Sequence, residues 1–145
     1  MQNVRDVVRR KGSDVWSVRP ETSIFDALKL MAERNIGAVL VVDRTGSPIG
    51  VFSERDYARK VVLKGKHSQD TAVGEVMSKG VLTVSPARSI DDCMKLMIEK
   101  HVRHLPVVEE ETVVGMISIG DVVKAALADR EALVEQLQEY ITHPY

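Results

Sequence analysis

One cysteine, Cys93, is all the sequence contains. A single thiol forbids an intramolecular disulfide and suits a reducing compartment, with the cytoplasm as the expected one. Aromatic residues reach only 4%, too few for the stacking platforms that hold single-stranded nucleic acid. The net charge is −1, so the surface is not built to neutralise a phosphate backbone and no nucleic-acid partner is expected. No apolar run approaches the roughly 20 residues of a membrane span. Residues 1–6 lack the apolar core of a secretory signal. Arg5, Arg9 and Arg10 give that end the charge of an organellar presequence, but Asp6 and the missing serine-rich flank count against one. Glycine-rich nucleotide fingerprints are absent. His67, His101, His104, His143 and Cys93 are scattered without metal-ligand spacing. No serine has an evident base beside it. Neither catalysis nor a required cofactor or metal is expected.

What is present is apolar substance in the right amount. Hydrophobic residues make up 44% of 145, and charged residues 28%, which fits one compact domain or two small units sharing a core. A short amphipathic helix is expected over residues 1–13, with Val4, Val7 and Val8 on one side and Gly12 ending it. Trp16, Ser17 and Val18 read as a minimal strand stopped by Pro20. Ser23 and Asp26 form a capping-box pattern ahead of a helix to about Arg34, with Ile24, Ala27, Leu28 and Met31 facing inward. The continuous apolar run from Ala38 to Val42 suits a strand covered on both faces. After a turn over 43–48, a returning strand leads to Ser53 and a helix through about Leu63. Residues 65–80 read as a polar, glycine-containing linker with a short helical turn near Val73.

The chain then repeats itself. Val18, Pro20, Ser23, Ile24, Asp26, Lys29, Leu30, Met31 and Glu33 recur 66 positions later as Val84, Pro86, Ser89, Ile90, Asp92, Lys95, Leu96, Met97 and Glu99. Past the hairpin the offset is 65, so Gly50, Ser53 and Asp56 meet Gly115, Ser118 and Asp121. A one-residue deletion in a turn is where a repeat tolerates a length change. The tail departs from the repeat. A helix to about Ile141 carries Val123, Ala126, Leu127, Leu133, Val134, Leu137, Tyr140 and Ile141 on one stripe that needs cover.

The twin Ser-x-x-Asp segments are the candidate chemistry. A helix start after a strand offers free N–H groups to a phosphate, and a carboxylate one turn in accepts hydrogen bonds from ribose hydroxyls. The same spacing is also an ordinary capping box, as at Ser23 and Ser89. Arg103 can grip phosphate bidentately, and His104 can donate to it or pack. The first copy has Gly37 and Ala38 there, which leave backbone open to a base, so the two sites are expected to be unequal. Arg55 reaches a phosphate or stays in solvent.

The wording Arg103-His104-Leu105-Pro106-Val107-Val108 and Gly115-Met116-Ile117-Ser118-Ile119-Gly120-Asp121, met twice in outline, resembles a tandem CBS-domain protein, the stand-alone Bateman module. The resemblance covers roughly 14–128 and implies an α/β (α+β) fold of two β-α-β-β-α repeats about a pseudo-twofold axis, with a long C-terminal helix. The corresponding divisions are 1–13, 14–64, 65–80, 81–128 and 129–145. It implies two clefts for adenosine-containing ligands, with Ser53, Arg55, Asp56, Ser118, Asp121, Arg103, His104, Ile36, Gly37, Ala38, Val102 and Pro106 as lining residues. The expected function is a non-enzymatic sensor of AMP, ADP or ATP that acts through conformational change on an unidentified protein partner, as a homodimer. The alternative is a scaffold with empty clefts or a different ligand, such as NAD or S-adenosylmethionine.

Overall fold

The structure is a computed structural model that describes residues 1–142; the side chain of Tyr140 and residue His143 lie outside the described residues. In chain order the elements are α1 (Val4–Lys11), β1 (Ser17–Val18), α2 (Ile24–Arg34), β2 (Ala38–Val42), β3 (Pro48–Ser53), α3 (Glu54–Asp56) continued by a π-wound segment (Tyr57–Val62), α4 (Val73–Val76), α5 (Ile90–Lys100), β4 (His104–Glu109), β5 (Thr112–Ser118) and α6 (Ile119–Thr142). They form two compact units, one of residues 14–82 and one of residues 1–13 with 83 onward.

In the unit of residues 14–82 the sheet order is β1-β2-β3, with β1 parallel and β3 antiparallel to β2. The apolar run behaves as its composition requires: Val39, Leu40 and Val41 are all buried. Ile24, Ala27 and Met31 of α2 close one face together with Phe52 and Val61. The Ser23 hydroxyl accepts from Asp26 N–H at 3.1 Å, which starts α2. Left-handed Asn35 (φ 53°) ends it. The helix expected to run from Ser53 to Leu63 is α-helical only for its first turn. Beyond it, Leu63 N–H reaches back to Ala58 O and Lys66 N–H to Val61 O, each five residues away, which widens the coil.

In the other unit β4 and β5 pair antiparallel, with His104 opposite Ser118 and Val107 opposite Gly115. The strand expected to open the second repeat is reduced to a single parallel bridge between Val84 and Val107. Ser89 starts α5 as Ser23 starts α2, and left-handed His101 (φ 55°) ends it as Asn35 ends α2.

The short helices dock in a crossed manner. α4 precedes the second repeat in sequence but completes the unit of the first: Val73 N–H donates to Thr22 O and Gly74 N–H to Pro20 O, both at 2.8 Å. α1 precedes the first repeat and makes the matching bonds in the other unit, Val4 N–H to Arg88 O and Arg5 N–H to Pro86 O, both at 2.9 Å. The residues correspond at an offset of 69, with Val4, Asp6 and Val7 standing for Val73, Glu75 and Val76. All four of those valines are buried. Asp6 and Glu75 each accept from the N–H of their own N-cap residue, Asn3 or Ala72.

α6 has two halves. Val122 and Ala125 are buried, and Gln2 ties Asp129 down with bonds of 3.1 and 3.2 Å to its carboxylate. Beyond that tether, residues 130–139 are all exposed, Leu133, Val134 and Leu137 included.

Candidate functional site

Both Ser-x-x-Asp segments are reciprocal capping boxes at a strand-to-helix junction, but their carboxylates are used differently. At the first, Ser53 Oγ accepts from Asp56 N–H at 3.2 Å, and Asp56 Oδ2 accepts from Ser53 N–H at 3.0 Å and from its hydroxyl at 3.1 Å. Asp56 Oδ1 accepts from the Ser78 hydroxyl and pairs with Lys60 Nζ, both at 3.0 Å. Lys60 in turn donates to Val76 O at 3.1 Å. Asp56 is 7% exposed. Its carboxylate holds the helix start, α4's trailing Ser78 and Lys60 together, with both oxygens engaged.

At the second, Asp121 N–H donates to Ser118 Oγ at 3.2 Å and Ser118 N–H to Asp121 Oδ2 at 2.8 Å. Lys11 Nζ, from the last turn of α1, also sits on Oδ2 at 2.7 Å and donates to Met116 O at 2.9 Å. Oδ1 has no hydrogen bond among the described residues, and the side chain is 21% exposed. Burial pushes the Asp121 carboxyl up. The hydrogen bond from Lys11, the Ser118 N–H, the Lys11 charge and the Ser118 hydroxyl outweigh it and hold the group below its ordinary range.

The strand starts lie beside their own boxes. Gly37 O takes the N–H of Glu54 at 3.1 Å, and Arg103 O takes that of Ile119 at 2.8 Å, so each strand entrance is stapled to the adjoining helix start. Ile36 and Gly37 line an open hollow of about 450 Å³ with Leu28, Met31, Ala32, Asn35 and Glu54. Ala38 and Pro106 are buried within their strands, and Val102 and His104 are half-buried. Arg55 and Arg103 are exposed, and neither joins an ion pair among the described residues.

Sequence reasoning missed Lys11, Lys60, Ser78 and Glu54. Lys60 was legible, standing four residues after Asp56 on a helix, and Glu54 sits inside the segment already singled out. Lys11 lies 110 residues from Asp121, and no local pattern joins them. Among the described residues no group of three or more His, Cys, Asp or Glu side chains is placed to hold a metal, and no helix is long and apolar enough to cross a membrane.

A duplicated strand–helix–hairpin unit with a boxed helix start closing each hairpin defines a tandem-repeat module. The CBS domain profile matches residues 4–63 and 73–128, and the chain belongs to the CBS-domain family as a tandem pair. It is 34% identical to CBS domain-containing protein CBSX3, mitochondrial, of Arabidopsis thaliana, across 98% of this chain and 73% of that protein. The solved structure of a CBS-domain protein from Burkholderia ambifaria superposes with a TM-score of 0.83 at 44% identity, covering 88% of this chain and 96% of the other. The CBS domain pair of protein MJ0100, solved with 5-methylthioadenosine and S-adenosyl-L-methionine, shares the fold at 23% identity and a TM-score of 0.75, covering 86% of this chain and 98% of that one.

Proposed function

We propose that the protein is a non-enzymatic regulatory module that binds an adenosine-containing ligand, AMP, ADP or ATP, at Ser118 and Asp121. Occupancy passes to a protein partner by shifting the population of conformations. The observation that carries this reading is the part-exposed carboxylate of Asp121 at a strand-to-helix junction, whose Oδ1 takes no hydrogen bond among the described residues. A ribose hydroxyl finds a charged acceptor there. At the helix start Ile119 N–H is held by Arg103 O and Asp121 N–H by Ser118 Oγ, which leaves Gly120 N–H, among the described residues, to meet a phosphate. The adenosyl compounds in the MJ0100 domain pair favour the same ligand class. Asp56, with both oxygens engaged, makes the first box the weaker site, so the two halves bind unequally.

The proposal includes a homodimer and a reducing compartment, the cytoplasm. Leu127, Leu133, Val134 and Leu137 are each about half exposed along α6. An apolar stripe of that length calls for cover, and a twofold pair covers it with the same surface on both subunits.

Equilibrium binding of AMP, ADP, ATP, NAD and S-adenosylmethionine tests the ligand class, with nucleotide loss followed over time in the same samples. Binding of the adenine nucleotides without turnover is expected. Turnover would make the protein an enzyme, and failure of every ligand at millimolar concentration would leave a scaffold.

A further inference from the structure

Lys11 has no counterpart in the repeat. The equivalent position at an offset of 69 is Gly80, and the lysine that serves Asp56, Lys60, corresponds at an offset of 65 to the buried Ala125. The contact between Lys11 and Asp121 is therefore a feature of the second box alone, and it falls on the carboxylate oxygen that a sugar needs.

Each carboxylate oxygen presents two lone-pair directions. On Asp121 Oδ2 both are taken, by Ser118 N–H at 2.8 Å and by Lys11 Nζ at 2.7 Å. A cis-diol chelates a carboxylate by donating one hydroxyl to each oxygen. Oδ1 can accept the first hydroxyl as it stands, but the second needs a place on Oδ2. Ser118 N–H cannot yield that place without undoing the start of α6. Lys11 can, because its side chain is 40% exposed and its other partner is a single carbonyl, Met116 O.

Resting on the ligand class proposed above, we infer that Lys11 is a displaceable lock on this site: a ribose diol takes its place on Asp121 Oδ2, and the last turn of α1 loosens. Lys11 is the final residue of α1, Gly12 caps it at φ 104° with its N–H on Val8 O at 2.8 Å, and Ser13 is the last residue before the chain leaves this unit. Occupancy is thus delivered to the connection between the two units. The rest of α1 stays docked through buried Val4 and Val7 and the reciprocal box of Asn3 and Asp6.

The test uses the full chain, AMP, and the variant Lys11→Met, which keeps the length and apolar stem and removes the charge. Calorimetry at low salt should show Lys11→Met binding AMP more tightly, by about two- to fivefold, the scale of a partly exposed ion pair. In the wild type, AMP should speed hydrogen exchange at the Gly12 amide, whereas 2′,3′-dideoxy-AMP, which cannot chelate, should not; this arm needs no variant. Equal or weaker AMP binding by Lys11→Met, or a Gly12 amide unmoved or slowed by AMP, overturns the lock and leaves the binding site standing. No AMP binding by either protein removes the site and the lock with it.

Discussion

Gly115 makes the space that Val8 occupies: a Cβ at Gly115 would stand 3.0 Å from Val8 Cγ2 and 3.1 Å from Cγ1. Gly50 does the same for the segment after α4, where a Cβ would meet Met77 Sδ at 2.5 Å and Ser78 O at 3.0 Å. The repeated glycine of the hairpin thus serves the docked short helix. Val8 is β-branched and stiff, so it cannot swing clear as a methionine can. Gly115→Ala is expected to lower stability by about 1–3 kcal/mol through overpacking. A urea midpoint equal to the wild type's would contradict it.

Asp56 and Asp121 should separate on mutation. Asp121→Ala is expected to weaken AMP binding by about 1.5–3 kcal/mol, the value of a hydrogen bond to a charged acceptor. It strands the Ser118 N–H and frays the start of α6, but the fold survives with a smaller loss than in Asp56→Ala. Asp56→Ala strands the Ser53 N–H and the Ser78 hydroxyl and should cost about 1–3 kcal/mol of folding free energy. Paired urea melts and AMP titrations check this, and equal effects of the two substitutions on both readouts would refute the assignment.

Acid should loosen the contact between Lys11 and Asp121. The folded carboxyl titrates below its ordinary value of 3.8, so the folded state binds the proton less readily than the unfolded chain does. The resulting stabilisation is complete above about pH 5 and is lost as pH falls through 3.8 and then through the lowered folded value. Urea midpoints from pH 6 downward should therefore fall less steeply in Lys11→Met than in the wild type. Parallel curves would show that Lys11 does not hold the group.

The outer half of α6 predicts its own disruption. Leu133→Glu and Leu137→Glu each place a charge on the exposed apolar stripe and should convert a dimer to a monomer in light scattering. A monomer mass for the wild type at tens of micromolar would dispose of the dimer.

Much of this architecture was legible because it is written twice. Ser23 and Ser89, Ser53 and Ser118, and the runs at Val39 and Val107 mark equivalent starts and strands, since capping and burial act over a few residues. The crossed docking of α1 and α4 was not read, although Val4, Asp6 and Val7 repeat Val73, Glu75 and Val76. Periodicity identifies a helix and its apolar face, but which unit buries that face is decided by partners far along the chain. Pro86 and Arg88 supply the carbonyls for α1, and neither is near it in sequence. The same distance hid Lys11 from Asp121. No composition signal marked the π-wound stretch over Tyr57–Val62.

The crossed docking also says something about ancestry. A half-length chain made of one leading helix and one repeat would, with the docking seen here, leave that helix off its own body. Two such chains would have had to trade helices, each finishing the other. Joining two of them end to end produces the present arrangement with no change of partner, and the join falls before Ser68, Thr71 and Ala72, which bond to the start of α2. Cut between residues 66 and 67, the fragments 1–66 and 67–145 should still find each other in solution, because each carries the helix the other lacks.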